Sequence, residues 1–210
     1  MRNLLITVSC FLICFVGFGQ LILDVDEVAP FHEDLAAIKL NNQWAFINKE
    51  GEKVINFRDD LVASTQKNIL DTKKSNTVVY PLFKENRCLV RKLIDDIYYY
   101  GYIDKSGKEV ISTQYLNATN FNNGYAIVIK FAKNVMGNND VLGKRMVSYK
   151  LEEYIIDTSG NLVKYLDNAR NCIPSRIKNK IPPDFYSKFM SSKLIAVKST
   201  KEQKWNIYKF

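Results

Sequence analysis

One turn recurs three times along this chain and restricts what it can fold into more than any other feature. Its first copy runs from Phe46 through Ile47, Asn48 and Gly51 to Val54. The second runs from Tyr102 through Ile103, Asp104 and Gly107 to Val110, and the third from Ile155 through Ile156, Asp157 and Gly160 to Val163. In each copy an Ile stands four residues before the glycine, an Asn or Asp three before it, and a Val three after it. A side-chain oxygen at Asn48, Asp104 or Asp157 can accept from the backbone two residues on, which starts a turn. Gly51, Gly107 or Gly160 then supplies the positive φ that a type I turn followed by a bulge requires. The flanking residues are β-branched or aromatic and suit a pleated, half-buried surface. Each copy is therefore expected to be a turn between antiparallel strands.

A second shared stretch lies upstream of each turn. Phe31, Phe83 and Phe121 are followed five residues later by Ala36, Cys88 and Ala126, and two further on by Ile38, Val90 and Val128. Spacing of two along a strand puts the small and the branched residue on one face. A basic residue follows at Lys39, Arg91 and Lys130. A less regular fourth copy reads Phe189, Leu194 to Lys198, a polar turn from Ser199 to Lys204, then Trp205 to Tyr208. The turn glycines at 51, 107 and 160 give a period a little over fifty residues, a sign of a repeat architecture. The expected fold is all-β: an antiparallel repeat array of hairpin units, propeller- or solenoid-like, with at most one or two short helices. Its units span about 31–57, 83–115, 121–165 and 189–210 of a single domain over 20–210. Arg58–Leu82 and Lys164–Lys188 link them, and Pro182-Pro183-Asp184 predicts a short helix through Tyr186 and Lys188. The third unit carries an insertion from about Phe131 to Glu152, the first place to look for anything specific to this protein.

The N-terminus reads differently. A single Arg2, an apolar stretch from Leu4 to Val16 and the small-x-small ending Gly17-Phe18-Gly19 make a secretory signal peptide over 1–19. A retained N-terminal anchor is the other reading, although a bilayer crossing needs about 20 apolar residues. Neither Cys10 nor Cys14 lies in a lipoprotein-like context. Cleavage removes Arg2, lowers the net charge from +8 to +7, and leaves Cys88, Cys172 and the single His32. The expected location is outside the cytoplasm: periplasmic, outer-surface or extracellular.

An aromatic strand start, the sequence Tyr/Phe-Ile-Asp/Asn-Lys-x-Gly and a following Val-Ile resemble the WG-repeat family of bacterial proteins. Units of that family typically read Phe-x-x-Gly-x-Ala, then Trp-Gly-Tyr-Ile-Asp, then Gly-Lys. Here the matching residues are Phe121 with Gly124-Tyr125-Ala126, and Tyr100-Gly101-Tyr102-Ile103-Asp104-Lys105-Ser106-Gly107. Trp44-Ala45, Glu153-Tyr154 and Trp205-Asn206 stand where the literal Trp-Gly pair would be, so the copies are divergent and cover roughly Phe31 to Phe210. The resemblance implies an all-β repeat fold and no shared catalytic residues.

The remaining candidates read mainly as structure. A histidine-based catalytic site would have only His32 to recruit, and His32, Cys88 and Cys172 lack metal-ligand spacing. Cys88 fills the slot of Ala36 and Ala126 and reads as a buried small hydrophobe, with a Cys88–Cys172 disulfide left open. The pairs Asp59-Asp60 and Asp95-Asp96 read as loop residues, and Asn138-Asn139-Asp140 lacks calcium-loop spacing. Trp44, Tyr98, Tyr100 and Trp205 could line a binding surface, with core packing as the plainer reading. No catalytic residue, cofactor or metal is expected. The scattered lysines lack an Arg-rich stripe or recognition motif, which argues against nucleic acid. The favoured function is a non-catalytic, exported interaction or structural module of the cell envelope that binds an unidentified protein. An acidic polysaccharide or membrane surface is the alternative partner, and an enzyme ranks third.

Overall fold

A computed structural model describes residues 22, 24–63, 79–139, 143–173 and 181–210. The expected signal peptide lies outside the described residues. Four antiparallel sheets follow one another along the chain, and the described residues include no helix. The first sheet holds β1 (Glu27–Val28), β2 (Ala36–Leu40), β3 (Gln43–Ile47) and β4 (Lys53–Arg58); the second holds β5 (Cys88–Ile94), β6 (Ile97–Ile103) and β7 (Glu109–Tyr115). The third holds β8 (Asn117–Ala118), β9 (Tyr125–Asn139), β10 (Lys144–Asp157), β11 (Leu162–Tyr165) and β12 (Arg170–Asn171). The fourth holds β13 (Ser187–Phe189), β14 (Leu194–Lys198) and β15 (Trp205–Lys209).

The three glycine turns are built alike. Asn48 Oδ1 accepts from the N–H groups of Glu50 and Glu52 at 3.1 and 2.8 Å. Asp104 Oδ1 accepts from Ser106 and Lys108 at 2.9 and 3.1 Å, and Asp157 Oδ1 from Ser159 and Asn161, both at 2.9 Å. Gly51, Gly107 and Gly160 sit at φ of 82°, 83° and 84°, a region that costs a residue with a Cβ more than it costs glycine. The turns joining β2 to β3 and β5 to β6 use non-glycine residues in the left-handed region. Asn41-Asn42 and Asp95-Asp96 have φ between 48° and 64°, so both are two-residue turns with positive φ at each centre. Asp95-Asp96 thus joins β5 to β6, with Ile94 paired to Ile97.

The sheets stack in sequence order with a core between each pair. Ala37, Trp44, Phe46 and Ile55 of the first sheet meet Phe83, Cys88, Val90 and Ile103 of the second unit. Leu89 and Tyr102, the alternate residues of β5 and β6, point the other way and meet Phe121, Ala126, Val128 and Ile156. Ile127 and Ile155 then meet Ile195 and Val197 of the fourth sheet. The two inner sheets are therefore apolar on both faces, the pattern of a sheet covered on each side. Residues 60–62 of the first linker also lie along β5: Leu61 pairs with Val90, and Val62 N–H donates to Leu89 O at 3.0 Å.

The helix expected from Pro182 does not form. Residues 181–185 carry no regular structure and Ser187–Phe189 is a strand on β14. The backbone groups a helix would use are engaged elsewhere. Asn117 donates to Pro183 O at 2.9 Å, Arg170 to Asp184 O at 2.8 Å, and Lys198 N–H to Tyr186 O at 2.7 Å. Those tertiary bonds outweigh the local Pro-Pro start signal.

Candidate interaction surface

The four aromatic residues that suggested a binding surface take different places. Trp44 and Tyr100 are buried in the first and second inter-sheet cores, at 7 % and 4 % exposure. Tyr98 packs partly buried against the second core with the Arg91 guanidinium 4.4 Å above its ring. Trp205 is 47 % exposed, with Lys188 Nζ 4.8 Å over its ring. Strand alternation alone cannot distinguish these cases, because both faces of an inner sheet are covered.

His32 closes a small turn: it pairs with Leu35, and its Nε2 lies 3.2 Å from the Tyr80 hydroxyl. Cys88 is fully buried and burial pushes its thiol pKa far up, so the reactive thiolate is suppressed. Cys172 packs on a separate apolar cluster with Leu116, Ile129 and Leu151, and no disulfide joins it to Cys88. Among the described residues no group of three or more His, Cys, Asp or Glu is placed to hold a metal ion.

Glu153 was not among the residues expected to form a site. Its position corresponds to Trp44 and Tyr100, yet it is a carboxylate with no solvent exposure. It accepts from Arg170 Nη2 at 2.9 Å, from Tyr186 N–H at 2.7 Å and from the Ser187 hydroxyl. A buried charge needs this many donors to offset its lost hydration. Three donors leave little room for substrate, so the group ties β10 to the start of the fourth sheet. An acid in a slot otherwise aromatic was the one available signal. The Asn168 amide is also buried, with neither Nδ2 nor Oδ1 bonded to another protein group.

The insertion of the third unit is an arm. β9 and β10 continue as a paired ribbon to Asn139 and Lys144, far past the residue pairs that the other sheets use. Its base is braced: β12 pairs with Lys150 and Leu151, and Phe131 stacks on Tyr149 with ring centroids 5.1 Å apart. Beyond the base the ladder slips between Met146 and Val147. Val135 and Met136 there are 60 % and 69 % exposed, with Met146 also exposed. Large apolar side chains left in water on one short ribbon make it the first candidate here for a contact surface.

The fold is thus an open stack of antiparallel β-units, each capped on the next by an aromatic core. A family model for the WG containing repeat matches residues 19–44 and 100–130, two stretches consistent with divergent copies of that repeat. No curated protein and no solved structure matches. The matched stretches hold the Phe31 turn with Trp44, and Tyr100-Gly101 with the Phe121 turn.

Proposed function

We propose that this chain is an exported, non-catalytic interaction module of the cell envelope, and that it binds another protein. The observation that carries this reading is the arm, where Val135, Met136 and Met146 stand exposed on a ribbon anchored at its base. Flexible methionine side chains suit a surface that must adapt to a partner. Lys133 and Arg145 on the same ribbon add positive charge, which favours a partner with an acidic rim. The full engagement of Glu153 by its three donors supports a structural role for the buried acid in place of a catalytic one.

The test is capture from an envelope extract by tagged protein, wild type beside a Val135→Asp/Met136→Asp variant. One specific protein held by the wild type and lost in the variant is the expected result. Equal capture by both would remove the arm from the argument. A second reading, binding to an acidic polysaccharide or anionic membrane surface, draws on the exposed Trp205 beneath Lys188. Retention on polysaccharide resin with release by competing sugar, and no captured protein, would favour it.

A further inference from the structure

Consecutive units are joined by devices that repeat along the stack. The opening Phe of the second and third units seats on the central aromatic of the unit before: Phe83 lies 4.8 Å from Phe46, and Phe121 4.7 Å from Tyr102, between ring centroids. A carboxylate two residues after Phe31 and after Phe83 accepts backbone N–H groups from the following unit's turn. Glu33 accepts from Glu85 and Asn86, and Glu85 from Gly124 at 2.7 Å.

Each end of the stack leaves some apolar side chains of this joint exposed, although Ala36 and Ile38, the first unit's counterparts of Cys88 and Val90, are buried. Phe31, the first opening Phe, is 47 % exposed, whereas Phe83 and Phe121 are buried. Val28 pairs with Ile38 as Leu61 pairs with Val90, yet Val28 is exposed and Leu61 buried. At the other end, Ile207 lies opposite Ala196 and Trp205 opposite Lys198, as Phe46 lies opposite Ala37 and Trp44 opposite Lys39. Phe46 and Trp44 are buried under the second unit, but Ile207 and Trp205 are 61 % and 47 % exposed. The two ends also differ in charge: residues 24–58 carry seven acids against four bases, and residues 185–210 six lysines against one acid. Exposed apolar residues of one joint, carried at one end on a unit of net negative charge and at the other on a unit of net positive charge, favour attraction between the two ends.

We propose that the protein associates head to tail with second copies of itself, Phe31 and Val28 of one copy seating on the Trp205–Ile207 face of the next. The interface is heterologous, so it extends into a chain of copies unless the rotation closes. It rests on the reading of this molecule as a protein-binding array, but it uses the ends of the stack and not the arm. The like charge of two C-terminal sheets opposes a face-to-face pairing of that surface.

Sedimentation velocity on the full chain tests this. The expected mass rises with concentration and falls when about 0.5 M salt shortens the range of the attraction. Phe31→Asp and Ile207→Asp both change exposed residues, so each should keep the wild-type circular dichroism while losing at least tenfold in self-association. Mixed one to one, the two variants should give dimers and nothing larger, since each keeps one intact end. A wild type that stays monomeric throughout would overturn the proposal, as would a mixture no heavier than either variant alone. Monomers that sediment with phosphatidylglycerol vesicles would overturn it in favour of a membrane surface. None of these results depends on the arm, so the pull-down reading and this one fail separately.

Discussion

Gly101 occupies the glycine place of the Trp-Gly pattern, and its surroundings explain why a side chain is excluded there. On the β6–β7 ladder Tyr100 faces Tyr115 and Tyr102 faces Ile111, so four steps on β7 answer two on β6. In the first sheet three steps, from Ile55 to Arg58, answer the two from Trp44 to Phe46, and that unit has Ala45 at the same place. The extra residue in β7 folds its backbone over Gly101. A Cβ there would lie 2.5 Å from Ile111 O and 2.8 Å from Ser112 C and Thr113 N. All three atoms are main chain, so no rotamer change relieves the clash. Overpacking of this kind costs about 1–3 kcal/mol. Against it, replacing glycine by alanine restricts the unfolded chain and returns about 0.4–1 kcal/mol. Gly101→Ala should therefore lose ~1–2 kcal/mol, read as a lower urea midpoint, or as a melting temperature lower by about 2–4 °C per kcal/mol at this chain length. Trp44, in the core between the first two units, reports the loss through its fluorescence. A variant as stable as the wild type, or more so, would refute the idea that the larger bulge is what demands glycine.

Further predictions concern the polar groups. Glu153→Gln leaves Arg170 without its buried carboxylate and should cost about 3 kcal/mol by chemical denaturation, at the low end for a broken buried pair; a loss under about 1 kcal/mol would contradict the role assigned to it. Asn168→Leu removes a buried amide that no protein group satisfies, and should be neutral or stabilising by about 1 kcal/mol; a clear loss of stability would mean the amide is satisfied in solution. Asp104 and Asp157 have carboxyl pKa values held below the usual range, chiefly by the Ser106 hydroxyl and the Asn161 amide respectively. A depressed folded pKa gives stability that is present above the unfolded value near 4 and lost as pH falls through the folded value. The wild-type melting temperature should therefore drop more steeply below about pH 4 than that of an Asp104→Asn/Asp157→Asn variant. Parallel pH profiles would rule this out.

Much of the architecture was legible because its causes are local. An Asn or Asp side chain bonding to the backbone two and four residues ahead, with glycine at positive φ, is fixed by a few adjacent residues. The turns at Asn48, Asp104 and Asp157 could therefore be read directly. The partner of each strand face is not local. Trp44 and Trp205 occupy equivalent positions in similar hairpins, and only the presence of a following sheet buries the first and leaves the second in water. The acid in an aromatic slot at Glu153 was visible, but its role was not, since its donors Arg170 and Ser187 lie 17 and 34 residues away in stretches without a pattern. The segment from Pro182 misled because start signals for a helix were weighed without the bonds that Asn117, Arg170 and Lys198 place on its carbonyls. The Phe131–Glu152 insertion was visible as an interruption, but its continuation as ordered ribbon depended on Phe131 meeting Tyr149 and on β12 bracing β10.

The buried carboxylate has one further consequence. Stacks of similar units risk docking in the wrong order, because a Phe on an aromatic platform fits several partners about equally well. Glu153 removes that degeneracy at one boundary. Any unit other than the one bearing Ser187 and the Tyr186 N–H would leave Glu153 with Arg170 alone of its three donors. Its placement works as a key for sequence order: it makes the correct neighbour the only affordable one, and it fixes where in the stack the last unit must stand.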